Sequence, residues 1–534
     1  MKAYRFHPGA AEEYTAAGQY KCGTHSSDPR MMNSLIRMIA KSLTLPFSML
    51  AGLLLCDAAY GAVGFTISPA AVTNDFRGTI SLTVTGLVAG GSVVIEQYAD
   101  LNGNGVIDSG EFLVLHLTVT DGQVPLVAGI RNPNVVGDED GLSNGQIQAR
   151  FYFPWVGFVW SAAVKSVFKV SDPLGVFPAV TRPFSVAQKI YPQLVTGRIT
   201  DAGSGFPLTN AIVFLSLQQG SGGPISSTDT NGNYKLYYLP STATVGVLKP
   251  GYVTDQNKLV VMNCNQTVTN ELALTNTPFT ISGKLTDTNG GGIAGILVGA
   301  NSTTNGFSAN GFTDTNGNYS LSVYTNNQWR VRPDQRGLSQ VGFVGLANRT
   351  NVTVANLSIS NVDFQLLRAS ALIYGTLKDD HGNPLIGQTL GAVDAGSPPR
   401  QGDGRSFVTN GSYALGVIGG TDGIGGDGAT LALLGLTLQN TNVAITDGHA
   451  TNVDLVAVRI NFPSLSNPSR LSATAAQFLF TGLPAVSYNI QASSNLSSTN
   501  WLTLLNTNGS CNAVTIVDSN ATSTARFYRA VVVP

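Results

Sequence analysis

The sequence is short of charge. Its 30 Lys+Arg and 31 Asp+Glu make up 11% of 534 residues, less than half the roughly 25% of an ordinary soluble domain. The formal net charge of −1 excludes the basic footprint that nucleic-acid binding needs. It also excludes a charge-driven disordered tail, because hydrophobic residues still reach 43%. Histidine is scarce too. Beyond residue 61 there are His116, His381 and His449, and none opens an H-x-x-E or H-E-x-x-H pattern, so no zinc peptidase centre is visible. No P-loop, G-x-S-x-G or dinucleotide fingerprint stands between a strand and a helix. Long apolar runs are missing: Leu43–Cys56 falls short of the about 20 residues a membrane span requires. In place of charge stand 60 glycines and many Asn, Thr and Ser, residues of turns and strands, not of helices.

The first 61 residues read as a leader. Residues 1–30 show no periodicity and precede Met31-Met32, an alternative start. Arg37 and Lys41 then lead into the apolar run, and Ala59-Tyr60-Gly61 supplies a small-residue cleavage site. That order, over 31–61, is a secretory signal peptide. An uncleaved anchor and a lipid-modified Cys56 are the other readings. Cleavage would leave two cysteines, Cys264 and Cys511, either as separate thiols or as one bridge.

The remainder divides into five segments. Three of them, 195–275, 278–368 and 371–458, repeat one pattern. Each opens on a strand with a glycine (Gly197, Gly283, Gly375), as in VTGRITD, ISGKLTD and IYGTLKD. Each continues through a turn to an apolar strand such as Ala211–Leu217. TDTNGNY follows at 228–234 and again at 313–319; its counterpart in the third is VTNGSY. Asn-Gly suits a tight turn between strands. Tyr234 and Tyr319 start the next strand, with Leu236, Tyr238, Leu321 and Val323 on one face. Repeats of 80–90 residues are whole small domains. The Asp229/Asn231 and Asp314/Asn316 pairs read as plain turns.

These residues resemble the carboxypeptidase regulatory-like domain: G-x-(I/L)-T-D, then TD-x-NG-x-Y-x-L, then the closing Pro250-Gly251-Tyr252 found in the first repeat. The third repeat matches loosely, lacking the Asp before Thr409. The resemblance implies a transthyretin-like β-sandwich, a fold kin to carbohydrate-binding modules. Segment 62–190 is strand-rich and reads as an Ig-like sandwich. Segment 460–534 resembles small all-β modules that end exported bacterial proteins, on Tyr488-x-Ile-Gln-Ala-Ser, Trp501 and Arg526-Phe-Tyr-Arg-Ala. The fold class is therefore all-β: tandem Ig-like and transthyretin-like β-sandwiches after a signal peptide.

One motif carries chemistry. Asp100-x-Asn102-x-Asn104-Gly105-x5-Glu111 satisfies D-x-[DN]-x-[DN]-G-x5-E, a calcium loop. Oxygens of Asp100, Asn102, Asn104, the Val106 carbonyl, Asp108 and a bidentate Glu111 supply the ligands Ca2+ prefers. Ile107 is expected to pack inward. The flanks, Val93–Tyr98 and Phe112–Thr118, read as strands, so the loop is EF-hand-like between β-strands and stabilises rather than senses. Asp138, Glu139 and Asp140 form a second acidic patch, read as a solvated loop with a further cation site as the alternative. Trp155, Trp160, Trp329 and Trp501 read as core residues, with sugar stacking as the other reading. The FYFPWVGFVW run (151–160) reads as a buried strand or a partner-facing patch. The small modules leave no segment of catalytic size. The sequence thus points to an exported, non-catalytic surface protein, adhesive or scaffolding, with Ca2+ as its cofactor. A glycan or a cell-surface protein is the expected partner. The alternative is a carbohydrate-binding or accessory component of a degradative system.

Overall fold

The computed structural model describes residues 62–533 apart from 77, 154–164, 218–222, 256–258, 305, 348, 407–409, 429–430, 432–433, 460–462, 483–486, 510–512 and 524. The expected leader, Trp155, Trp160 and Cys511 lie outside the described residues. No described helix is long and apolar enough to cross a membrane. The described chain is all-β, a succession of β-sandwiches with a six-residue helix at Gln335–Gln340.

The first sandwich follows from alternation. In Thr79–Thr85, Ile80, Leu82 and Val84 are buried, and Ser81 and Thr83 between them are not. This strand pairs with Gly64–Ser68 and Ile147–Tyr152. A five-stranded sheet faces it, with Ser92–Ala99 between Leu113–Thr120 and Ser166–Ser171. Phe65, Ile95, Phe168 and Phe184 fill the space between them. Phe151 and Phe153, in the aromatic run, belong to this core.

The three repeated segments share one construction. The opening strands Gln193–Asp201, Thr280–Asp287 and Ala371–Asp379 each pair antiparallel with the strand that follows the Asn-Gly turn. Each also pairs in parallel with a closing strand: Leu272–Asn276, Phe364–Arg368 or Leu455–Arg459. Register sets Gly197 opposite Tyr234, Gly283 opposite Tyr319 and Gly375 opposite Tyr413. The three tyrosine hydroxyls donate to the carbonyls of Asn270, Val362 and Val453 at 2.6, 2.5 and 2.7 Å. A Cβ on the facing glycines would stand 2.0, 2.0 and 1.9 Å from those same oxygens. Glycine and tyrosine are thus two halves of one device that pins the closing strand. The third copy has it although its Asn-Gly turn lacks the aspartate. Burial holds all three phenols in the neutral form, well above the usual tyrosine range.

Sheets run through the junctions between repeats. Strand Tyr252–Asp255 pairs at Tyr252 and Val253 with the closing strand of the first repeat. At Thr254 and Asp255 it pairs with Phe307–Phe312 of the second. Phe343–Leu346 does the same between the second and third, pairing with Arg368 and Leu367 and then with Gln401 and Arg400. Pro250-Gly251-Tyr252 has its structural counterpart in Val341-Gly342-Phe343, both glycines with φ near +82° (82° and 83°). The shared feature is a left-handed glycine before an aromatic strand start, which the Pro-Gly-Tyr spelling concealed.

The last module is a small sandwich of two three-stranded sheets around Phe478, Phe480, Tyr488, Ile490 and Ile516. Its carboxy-terminal Arg-Phe-Tyr-Arg run is structural. Arg526 Nε and the Tyr528 hydroxyl both donate to the buried Asp518, at 2.8 and 3.1 Å. The Arg529 guanidinium lies 4.3 Å from the centre of the Trp501 ring.

Candidate metal centre

The loop Asp100–Glu111 joins the antiparallel strands Ser92–Ala99 and Leu113–Thr120, with Tyr98 opposite Leu113. Its flanks are strands. Gly105 has φ +78°, the left-handed turn the motif demands. Asp100 is 3% exposed and organises the turn. Its Oδ1 accepts the N–H groups of Gly103 and Asn104 at 2.6 and 3.1 Å, and its Oδ2 accepts that of Gly105 at 2.8 Å. Glu111 reaches back across the loop, accepting from the Leu101 and Asp108 N–H groups at 2.9 and 3.0 Å. The Oδ1 atoms of Asn102 and Asn104 each take a backbone N–H two residues on. Their amide nitrogens donate to Asp108 Oδ2 at 2.6 and 2.7 Å. Val106 is exposed, and Ile107 is half-buried outside the core clusters.

This donor set is oxygen-rich and acidic, the chemistry Ca2+ takes. Burial pushes the Glu111 carboxyl up; its two N–H bonds offset part of this, and the Asp100 and Asp108 carboxylates add to it. A cation would relieve that repulsion. It would also have to take the place of the two amide donors at Asp108. The carboxylates of Asp100, Asp108 and Glu111 do not stand within 4.8 Å of one another; among the described residues Asp379, Asp380 and His381 do. That second group already has partners of its own. Arg459 lies 3.6 Å from Asp379 and 3.4 Å from Asp380, and His381 Nδ1 lies 2.7 Å from Asp380.

The loop has a seat. Leu101 and Phe112 pack onto Ile212, Phe214, Ile225 and Leu248 of the first repeat and Leu297 of the second. The Phe112 and Phe312 rings are 5.6 Å apart. The base of the loop thus bears on both repeats. The signal for this was the unbroken run Ile212-Val-Phe-Leu215, buried at every position, which marks a strand covered on both faces.

Asp138–Asp140 is neither a solvated loop nor an open cation site. Asp138 is fully buried and accepts the N–H groups of Gly122 and Gln148 at 2.8 and 2.9 Å. Glu139 pairs with Arg131 at 2.7 Å and Arg150 at 3.6 Å. Asp140 holds the Leu142 N–H. Next to this patch, Asn134 Nδ2 donates to the Ala414 carbonyl of the third repeat at 2.5 Å, a contact the sequence did not announce. The aspartates of both TDTNGNY turns accept backbone N–H groups two and four residues on, as plain turns do. Trp329 is wholly buried, and its Nε1 donates to the Tyr324 carbonyl. His116 faces Glu96 at 3.3 Å, His381 sits in its turn, and His449 lies 3.2 Å from the Asp447 carbonyl.

Two buried acid sites respond to pH with opposite sign. Glu96 is held down to about 2 by its hydrogen bond to His116, with Lys169 at 2.8 Å acting the same way against burial. Its contribution is complete above the usual carboxylate range and is lost as pH falls through it toward about 2. Asp422 is pushed up to about 6 by burial and by its cross-strand neighbour Asp394, and its Oδ2 has no partner. Its ionised form costs stability above about 6, and that cost vanishes as pH falls. Asp422→Asn is therefore expected to raise the thermal midpoint at about pH 7.5, with the gain shrinking toward about pH 4.5. A gain independent of pH contradicts the assignment.

No protein-family model matches the chain, and no curated protein matches it. Among solved structures, the Bacillus anthracis TIE protein is 11% identical, with 82% of this chain and 80% of that one covered, at a TM-score of 0.18. A point mutant of the shaft pilin spaA from Lactobacillus rhamnosus GG is 10% identical over 33% of this chain and 98% of that one, at 0.15. BcpA, the major pilin subunit of Bacillus cereus, is 10% identical over 50% and 99%, at 0.13. At scores this low, nothing about function follows from these neighbours.

Proposed function

We propose that this is an exported, non-catalytic structural protein of the cell surface or extracellular space, with an adhesive or scaffolding role, stiffened by calcium. The observation that carries the reading is the pair of sheets that cross the junctions between repeats. Such junctions resist bending, because moving one repeat against the next breaks backbone hydrogen bonds. The loop seat adds a second brace at the first junction. Asp100, Asn102, Asn104, Asp108, Glu111 and the Val106 carbonyl hold the cation; bound there, it supplies countercharge and cross-links the loop. Two neutral Asn ligands suit the weak binding of extracellular modules, about 10⁻⁴–10⁻³ M.

Cys264 is disulfide-bonded, which supports an oxidising compartment; the other three cysteines lie outside the described residues. Cys511 is the one partner left once a leader is removed. Mass mapping of the exported, unreduced chain is expected to find Cys264 joined to Cys511, and a free Cys264 thiol contradicts export through an oxidising compartment.

Limited proteolysis of the mature chain tests the brace. Phe112→Ala removes a half-buried ring, a loss of about 2 kcal/mol. It is expected to expose the Asp100–Phe112 loop to cleavage several-fold faster, as a calcium chelator does in the wild type. Equal cleavage rates in all three samples would refute the reading.

A further inference from the structure

The same sheet face carries different chemistry in each repeat. The three copies align on the hydroxyls of Thr228, Thr313 and Ser406, which accept the N–H groups of Ala211, Ile296 and Gln388 at 2.9 Å each. Three residues on from each of these N–H groups, one row crosses the second sheet. In the first repeat the row is Ile225, Phe214 and Gly246. In the second it is Asn310, Gly299 and Arg332. In the third it is Asp403, Gly391 and Gly425. The first row is apolar and takes Leu101 and Phe112. The third has no side chain on two of its three strands.

The result is a trough of about 680 Å³. Gly391, Gly423 and Gly425 line its floor; the Asp403 and Asn440 side chains lean over two of them, with Asp403 Oδ1 2.9 Å from where a Gly391 Cβ would stand and Asn440 Oδ1 2.6 Å from that of Gly425. Gln401 and Asp403 stand at one side and Asn440 at the other, while Arg332, Asp334 and Arg336 overhang it from the second repeat. This roof is built, not loose: Arg332 Nη1 donates to the Ala347 carbonyl at 3.1 Å, and Gln335 Nε2 donates to that of Leu346 at 2.9 Å. Asp403 is 5% exposed; its N–H donates to Ser339 Oγ and its Oδ1 accepts from Gln401 Nε2, both at 2.9 Å. Glycine in a strand interior gives up side-chain packing; here it leaves room for the Asp403 and Asn440 polar groups to lie across the floor.

The lining specifies the occupant. Two arginines face three aspartates, Asp334, Asp403 and Asp427, so neither charge sign predominates enough to select an ion. Amides, carboxyls and guanidinium groups alternate as donors and acceptors around a polar space that an apolar ligand would leave unpaired. At about 30 Å³ per water, the trough has room for roughly twenty waters. A ligand must reproduce the hydrogen bonds of the waters it displaces. We propose that this trough is a binding site for an uncharged, hydroxyl-rich ligand, a short stretch of neutral saccharide. Among the described lining residues there is no aromatic ring, so recognition rests on hydrogen bonds and affinity is modest.

The test is calorimetric titration of the mature full-length protein with cellohexaose, maltohexaose, xylohexaose and mannohexaose, and with hexagalacturonate as the anionic arm. Binding of at least one neutral hexamer is expected. Gly423→Leu fills the floor; a Cβ there meets nothing nearer than Asn442 Oδ1 at 3.4 Å, so the side chain leaves the backbone without a clash. This variant is expected to lose the binding at least tenfold with its thermal midpoint unchanged. Gln401→Ala, a wall change that cannot overfill the site, is expected to weaken it several-fold. The proposal is overturned if no neutral hexamer binds, if hexagalacturonate binds more tightly, or if binding survives both substitutions.

Discussion

Gly283→Ala is expected to destabilise the second repeat by about 3–5 kcal/mol, whereas Gly423→Ala, also within a strand, changes stability by less than about 0.5 kcal/mol. The two glycines differ in what faces them. A Cβ on Gly283 would meet the Val362 oxygen at 2.0 Å, its carbonyl carbon at 2.5 Å and its nitrogen at 3.0 Å. All three are backbone atoms, so relief requires moving the chain. The same oxygen accepts the Tyr319 hydroxyl at 2.5 Å, and the closing strand next to it pairs in parallel at Leu285–Phe364. Pushing Val362 away costs overpacking strain of about 1–3 kcal/mol and a buried hydrogen bond of similar size. Gly423 meets only ordinary contacts. Several linked sandwiches need not melt in one step, so the effect is read as the midpoint of the second repeat's own hydrogen-exchange protection. Equal losses for the two alanines contradict the pinning role. Tyr319→Phe, which keeps the ring and drops the hydroxyl, should cost about 1–2 kcal/mol.

Much of this construction was legible. Asn-Gly turns, alternation in Thr79–Thr85 and the recurring opening glycines each have a local physical cause, and they led to an all-β tandem architecture. What glycine was for did not show, because its reason is a carbonyl about 80 residues downstream. The junction strands were hidden for a similar cause. Gly251 and Gly342 share one backbone conformation, but their neighbours are spelled Pro-Gly-Tyr and Val-Gly-Phe. Asp138 looked like a surface charge among charges, yet it is buried because two backbone N–H groups need it. The Asp100–Glu111 turn and its strand flanks were readable from spacing alone. Its seat needed the partner face of Phe214 and Ile225, which only tertiary packing brings to Phe112. The trough carried a sequence signal that was passed over: Gly423, Gly425, Gly426 and Gly428, crowded into six residues.

The proposed calcium site is the second large lever. At about 10 mM, a loop of about 10⁻⁴–10⁻³ M affinity gains roughly 1–3 kcal/mol from the bound ion. The two carboxylates at its ends are expected to fail differently. Asp100→Ala removes the acceptor of three backbone N–H groups and loses stability with or without the cation, by about 2 kcal/mol in chelator alone. Glu111→Gln keeps an oxygen for the Leu101 N–H and removes the charge that burial disfavours. It also turns an amide NH2 toward the Asp108 N–H, so it is expected to lose a little stability in chelator and to gain nothing from calcium.

Scanning calorimetry of the mature chain in chelator and in about 10 mM Ca2+, wild type beside Glu111→Gln, therefore bears most directly on the account. A calcium-dependent rise in the first transition of the wild type, absent in Glu111→Gln, is the predicted result. Coincident wild-type transitions in calcium and in chelator would contradict it.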